Sequence, residues 1–468
     1  MSPGLVRTLR IRSQRKAGGL GFVTTALGDA GASIGEIQTL RIGHNYTLRD
    51  FHLLLDDEEH LRHVLDAISA IAGSEIVEVV DTVKSVHLGG KIRMRSRVAL
   101  DGIQDLSSAH MPGVKQMVQL LEDNPNLVDV YSSLPRTVAV ISDGSGLVGM
   151  NKVHPRAMLP VVEAKCALLA RLVGLSGLPI ILDVDTEENL VETVARLAPS
   201  CSAILVDSIV APRGPRAAQK LAERLQIPVL HDDADGPAVV GLAAVVNACR
   251  RVGKDAREVQ IGQIGLGTAG GAIARLVMRH TGRPVIGDDV HPGAVSRHIS
   301  NGGVQSNLDV IMQTADVVVM NTGHAGLIAP SSVREGQVII ALSEPNPEIE
   351  PYDAQLAGAA FAADGKAISP AAAFPGILLG ALAVKATAID DAMRIAAALT
   401  LADAAEGGDL VPTPLTDGLH ARVAAAVARA AVESGRARSA IDPALLVAAV
   451  FQAIIDDERQ LPLPAGLS

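Results

Sequence analysis

Apolar and polar residues alternate over 5–13 (LVRTLRIRS), which predicts a strand with one covered face. Residues 18–32 (GGLGFVTTALGDAGA) predict a helix opening on a glycine turn. Residues 33–43 and 46–55 then predict a strand pair around Gly43-His44-Asn45. Helical spacing returns over 58–72, and 75–84 (EIVEVVDTVK) predicts a further strand. This order, βαββαβ, is that of a ferredoxin-like unit. From 137 onward short apolar runs alternate with helical patterns. The runs are TVAVIS, PIILDV, AILVDS and PVLHDD; the helices are expected over 156–173, 187–198, 214–225 and 236–252. Such a repeat predicts a parallel sheet covered by helices. EVQIGQI (258–264) begins a second set, continued by PVIGDD, DVVVMN (316–321) and QVIIAL (337–342). Alanine-rich helices are expected over 385–400, 416–435 and 440–456, packing back onto the first sheet's domain.

Composition narrows the class. The chain has 468 residues, 48% of them hydrophobic and 20% charged, which is globular and long enough for several cores. Aromatic residues are only 2% and Trp is absent, so the cores must be built from Ala, Val, Leu and Ile. A net charge of −10 and the lack of a basic stripe with interleaved aromatics exclude a nucleic-acid partner. The longest uncharged run, 367–384, contains Pro370, Pro375, Gly376 and Gly380 and is expected as buried core rather than a membrane span. The N-terminus has no apolar segment of signal-peptide type, and three cysteines without metal spacing (Cys166, Cys201, Cys249) fit a reduced cytoplasm.

Two stretches carry chemistry. Asp232, Asp233 and Asp235 follow an apolar run, and acids crowded there bind a cation or raise one another's pKa. Gly265-x-Gly267-x-x-Gly270 lies between an expected strand and helix, with Asp288 or Asp289 about 20 residues on. The glycines admit a pyrophosphate, and the acid binds ribose hydroxyls while repelling a 2′-phosphate. NAD is therefore the expected cofactor, held by Gly265, Gly267, Gly270, Asp288 and Asn321.

The first 88 residues resemble an ACT domain, on the element order and on the turn Arg15-Lys16-Ala17-Gly18-Gly19-Leu20. The resemblance implies dimerisation and an amino acid or small acid as effector. The whole chain resembles the bacterial NAD-dependent malic enzyme family with an N-terminal ACT domain. The anchors are Met111-Pro112-Gly113-Val114, Ser142-Asp143-Gly144-Ser145, Leu159 to Lys165, Ala211-Pro212-Arg213, His231-Asp232-Asp233, the glycine loop and Phe374-Pro375-Gly376. It implies an α/β fold: an ACT-like domain (1–88), a catalytic domain (89–240), a Rossmann-type NAD domain (241–384) and C-terminal helices (385–468). It also implies oxidative decarboxylation of malate, or a related 2-hydroxy acid, with NAD and Mg²⁺ or Mn²⁺ in a homodimer or higher homo-oligomer. Within it Lys165 matches the general base, Asp232 the acid that orients it, and Asp233 a metal ligand.

Other positions depart from the family's pattern. His110 stands where the family has its general-acid Tyr. Asp207-Ser208 replaces a Glu-Asp metal pair, leaving Asp207 as the second expected ligand. Ser343-Glu344-Pro345 replaces Ala-Asn-Pro, and Ser369-Pro370 replaces a second Asn pair. Lys152, His154 and Arg156 enter a segment, Gly149 to Arg156, normally made of small residues. The substitutions gather on the substrate side, so Lys152, His154, Arg156 and Glu344 are candidate substrate contacts. Three readings remain: a malic enzyme with an altered site, a relative acting on another hydroxy acid, and a non-catalytic homologue that binds NAD and an effector.

Overall fold

The computed structural model describes residues 4–98, 100–147, 150, 152–366 and 368–439. The helix expected over 440–456 lies outside them, as do Gly149 and Asn151. The chain divides into two compact units, one running to Met94 and the other beginning at Arg95.

The first unit is βαββαβ: β1 Leu5–Gln14, α1 Gly19–Asp29, β2 Ser33–Ile42, β3 Tyr46–Leu55, α2 Glu58–Ser69 and β4 Ser74–Asp81. The antiparallel sheet runs β2-β3-β1-β4, the ferredoxin-like order expected. Leu9, Ile11, Phe51, Leu53 and Leu55 alternate along β1 and β3 and meet Val23, Leu27, Val64 and Ile68 from the two helices. Asp57 starts α2 by accepting the backbone N–H groups of Glu59 and His60 at 2.9 and 2.8 Å. The strand expected through residue 84 ends at Asp81. Its carboxylate instead accepts the Lys84 N–H at 2.9 Å and caps a short helix, α3 Thr82–His87.

The second unit opens with α4 Ile103–Ala109, α5 Gly113–Asp123 and α6 Val128–Tyr131. Then come β5 Thr137–Ser142, α7 Leu159–Val173, β6 Ser176–Ile181, α8 Glu187–Leu197, β7 Ala203–Val206, α9 Arg213–Arg224, β8 Val229–His231 and α10 Asp232–Arg251. Their parallel sheet has the order β6-β5-β7-β8. Helix α10 was expected from residue 236; it begins at Asp232, so the acidic cluster occupies its first turn. There the partial positive charge of the helix end favours carboxylates, and Asp235 accepts the His231 N–H at 2.9 Å.

The same unit continues with β9 Ile261–Ile264, α11 Thr268–Thr281, β10 Ile286–Asp288, α12 Pro292–Ser300, β11 Val304–Gln305, α13 Leu308–Thr314 and β12 Val317–Met320. After these come β13 Val338–Ala341, α14 Pro351–Leu356 and β14 Phe361–Asp364. The parallel order β11-β10-β9-β12-β13-β14 is that of a Rossmann sheet, with its switch point between β9 and β12. β11 and β14 have no counterpart among the expected strands: one is two residues long and the other is Ala-rich, so neither shows β periodicity. α10 runs unbroken past residue 240, where the catalytic and nucleotide domains were expected to meet.

Three helices complete the unit: α15 Phe374–Ala383, α16 Asp391–Ala404 and α17 Leu419–Glu433. The uncharged run is buried core as expected, with Phe374 to Ala381 shielded from solvent. Gly380 lets α15 approach α17 so closely that a Cβ there would lie 2.4 Å from the Ala424 carbonyl oxygen. Close helix packing on small residues is how a chain almost without aromatics fills its core. α16 packs on both α10 and α11. Its Arg394 donates to the buried Asp235 of α10 at 2.6 Å and to the Ile389 carbonyl at 3.0 Å. Among the described residues no helix is long and apolar enough to cross a membrane.

Removing one partner of a buried ion pair strands the other charge. Arg394→Ala is therefore expected to destabilise the second unit by about 3–5 kcal/mol, measured by chemical denaturation. A loss below about 1 kcal/mol, the value of an exposed pair, would show that α16 does not depend on it.

Candidate active site

Three elements bring four charged side chains together. Lys165 projects from the middle of α7, Asp207 follows the end of β7, and Asp232 and Asp233 open α10. Asp207 is fixed by its backbone N–H, which donates to the Ile141 carbonyl at 2.9 Å, and it is buried. Lys165 donates to Asp232 and lies 5.3 Å from the centre of the Phe374 ring. The Ser208 N–H donates to Asp233 at 2.9 Å and the Ser208 hydroxyl to Asp207 at 3.4 Å. Ser208 takes a left-handed backbone (φ 52°), an uncommon conformation for a residue with a Cβ.

Burial and mutual repulsion shape the charges. Burial, with Asp232 alongside, pushes Asp207 up to about 6, although Lys165 and the Ser208 hydroxyl act the other way. Burial together with Asp207 and Asp232 pushes Asp233 up to about 7. Burial alone would lower the Lys165 pKa, but the charges of Asp232, Asp207 and Asp233 outweigh it and raise it. A lysine acts as a general base at neutral pH only if its pKa is lowered. Here three carboxylates around one amine reverse the direction, and Lys165 rests as an ammonium.

Oδ2 of Asp207 and Oδ1 of Asp232 are buried without hydrogen-bond partners. Among the described residues no group of three or more His, Cys, Asp or Glu side chains forms a metal-ligating set. Asp207 and Asp233 supply two hard carboxylates, with the Ser208 hydroxyl beside them. This set fits a divalent cation that completes its shell with water or ligand oxygens. The Asp207 oxygen that has no hydrogen-bond donor is an atom such a cation would satisfy.

The nucleotide crevice is built at the switch point. Gly265 has φ 87°, and its Cβ position would fall 2.3 Å from the Asn321 carbonyl oxygen. A Cβ on Gly270 would meet the Gly265 carbonyl at 2.1 Å, so both positions demand glycine. Gly267 caps α11, leaving the first N–H groups of that helix available to an anion. Asp289 is the acid turned to this loop, accepting the Leu266 N–H at 2.7 Å. Asp288 turns away and accepts the Leu308 N–H at 2.9 Å. Asn321 sits at the end of β12, its N–H on the Ile264 carbonyl at 2.9 Å. The crevice and the charged cluster meet through the segment leaving β14. Its Pro370 lies where a Cβ on Gly236 of α10 would touch it, and its Phe374 faces Lys165.

The remaining candidates are exposed. His110 is exposed at the C-terminal end of α4, joined to it by backbone bonds. Lys152 is exposed and 3.4 Å from Asp185. Exposed His154 accepts the Arg156 N–H at 3.3 Å, and Arg156 is itself exposed. Glu344 is exposed beside Ser343. Residues given no role in the sequence prove central. Arg213 donates to buried Asp143, to the Ser145 hydroxyl at 2.9 Å and to the Val184 carbonyl at 3.0 Å, lacing the strand ends together. Asp143 and Arg213 belong to quoted motifs, which was the available signal. Buried Glu348 carried none.

No protein-family model matches the chain. It is 42% identical over 430 residues to NAD-dependent malic enzyme 1 of Bacillus subtilis, covering 92% of this chain and 98% of that relative. It is 30% identical to the NAD-dependent malic enzyme of Geobacillus stearothermophilus, covering 92% of this chain and 95% of that one. The solved malic enzyme of Pyrococcus horikoshii superposes with a TM-score of 0.75 at 30% identity, over 80% of this chain and 94% of that structure. Identity at this level over nearly the full length of both chains, with the same architecture, shows that the chain belongs to the malic enzyme family.

Proposed function

We propose that the chain catalyses NAD-dependent oxidative decarboxylation of malate or a closely related 2-hydroxy acid. The observation that carries this reading is the part-buried Lys165–Asp232 pair, flanked by Asp207 and Asp233 and set against the segment that leaves the nucleotide sheet. A purely structural ion pair would not need two further carboxylates with an unpartnered oxygen among them. The full-length match to relatives named NAD-dependent malic enzyme supports the same chemistry.

The residues divide the work. Asp232 holds the Lys165 amine in one orientation. Lys165 exchanges a proton with the substrate hydroxyl, which requires the negative charge of Asp207 and Asp233 to be offset first. Those two residues would hold Mg²⁺ or Mn²⁺, which supplies Lewis-acid polarisation at the C2 oxygen and that charge balance. Gly265, Gly267 and Gly270 would admit the NAD pyrophosphate. Asp289, turned to the glycine loop, would take the role expected of Asp288, meeting the adenosine ribose and disfavouring a 2′-phosphate. As an ammonium, Lys165 is a proton donor for the carbanionic product of CO₂ loss. His110 is proposed for that same donation. Ser208 gives the cation one charge less than the family's aspartate. Lys152, His154, Arg156 and Glu344 are proposed as a polar rim rather than as groups touching the reacting atoms, since all four are exposed.

Two regulatory features complete the proposal. The turn Arg15 to Leu20 opens α1 with Gly18 at φ 80° and would take an amino acid or small acid as effector, as in an ACT domain. A second copy of the chain would cover the exposed apolar side chains of α4 to α6, among them Ile103, Leu106, Val118 and Val130.

Lys165→Ala is expected to lower kcat with malate by about 10³-fold or more, followed by NADH absorbance, while NADH binding is kept. Retained turnover overturns the assignment. Mn²⁺ is expected to raise the melting temperature at pH 8 and to do so far less at pH 5.5. Asp207 and Asp233 take up protons near 6 and 7, and a cation must displace them. A shift independent of pH would remove these two from the metal site, and Ser208→Asp is expected to tighten Mn²⁺ about 10-fold by restoring a carboxylate. His110→Ala separates the two proton donors: a kcat loss of about 10²-fold or more assigns the step to His110, and a retained kcat assigns it to Lys165.

A further inference from the structure

Glu348 is fully buried, and among the described residues no cation pairs with it. Four donors satisfy its carboxylate instead, all from two loops at the carboxyl ends of adjacent strands. Oε1 accepts the Thr322 N–H at 2.7 Å, the Thr322 hydroxyl at 2.9 Å and the Ser343 hydroxyl at 2.5 Å. Oε2 lies 3.4 Å from the Ser343 N–H. The Ser343 hydroxyl in turn accepts the Gly323 N–H at 2.8 Å. The backbone closes the far end of the same loop, where the Ile328 N–H donates to the Glu348 carbonyl at 3.0 Å. The loop after β12 is thus stitched at both ends to the loop after β13.

The stitched loop begins at Asn321, whose carbonyl fits flush against Gly265 of the glycine turn. In a Rossmann sheet the half carrying the glycine turn and the ribose acid takes the adenosine. The other half, here β12 and β13, faces the nicotinamide. We propose that Glu348 is the positioning residue for the nicotinamide side of the crevice: it sets the spacing of the Asn321 and Ser343 loops without touching the cofactor. This rests on the NAD reading above.

The donor set explains why an acid is required. A glutamine whose oxygen kept the bonds at Oε1 would turn its NH₂ group onto the Ser343 N–H, which can only donate, and push that loop away. A residue that only filled space would tolerate Gln.

The test titrates the full-length protein with NADH and, separately, with ADP-ribose, which lacks the nicotinamide ring. It uses wild type, Glu348→Gln and Ser343→Ala, with melting temperatures recorded for each. Glu348→Gln is expected to weaken NADH at least 10-fold and ADP-ribose less than 3-fold. Ser343→Ala is expected to show the same selectivity at smaller size, and it decides the matter if Glu348→Gln does not fold. Equal losses for the two ligands, or no loss for either, overturn the role of Glu348. A wild type that binds neither ligand overturns the NAD reading itself, so the two failures are distinguishable.

Discussion

Four charges of unequal sign share one buried site, and the second unit is organised around that imbalance. Lys165 offers one positive charge to Asp207, Asp232 and Asp233. Taking carboxylates out of water is expensive unless each is paired. The surplus is visible in Asp207 and Asp233, both pushed well above the usual carboxylate range. It is visible again in the Asp207 oxygen that has no partner. A cluster built only for stability would place a second basic side chain there. Two basic side chains of the same unit are committed elsewhere: Arg394 to Asp235, and Arg213 to Asp143. Each tightens the scaffold next to the cluster and leaves the cluster itself short of positive charge.

The scaffold tolerates this because its packing is close and its charges are segregated. α10 carries the acids in its first turn and is buried along almost all its length. α16 is fastened to it by Arg394, and α15 and α17 meet through glycine and alanine. With so few rings available, Phe374 is among the largest wholly buried side chains, and its face is spent on the Lys165 amine. The segment bearing Phe374 also leaves the nucleotide sheet. The lysine site is therefore joined to the nucleotide sheet along the chain.

Of the positions read in the sequence as departures from the family's pattern, Ser208 lies within the cluster and Glu344 on the exposed surface. Ser208 keeps its backbone in place for Asp233 while giving up a charge. Glu344 is exposed one residue from Ser343, whose hydroxyl is wholly engaged by Glu348 and the Thr322 loop. The core of the reaction site and the cofactor loop can thus be maintained while the rim varies.

Much of this was legible in the chain itself. Period-two alternation marked β1 and β3, and uninterrupted apolar runs marked β5, β7, β12 and β13, because side chains covered on one or both faces leave that trace. The glycine turn was legible because a Cβ on Gly265 or Gly270 would fall 2.1–2.3 Å from a backbone carbonyl oxygen. Lys165, Asp207, Asp232 and Asp233 were legible as residue types joined by a resemblance. What the order of residues could not express was direction and partnership. Whether Asp288 or Asp289 faces the glycine turn depends on which carboxylate the α13 N-terminus captures. Whether Lys165 is acid or base in the resting site depends on how many carboxylates three separate elements deliver to it. Glu348 and Arg394 become meaningful only when strands and helices far apart in sequence meet. A chain specifies periodicity and steric necessity locally, but a charge acquires its state and its role from neighbours that only the folded structure assembles.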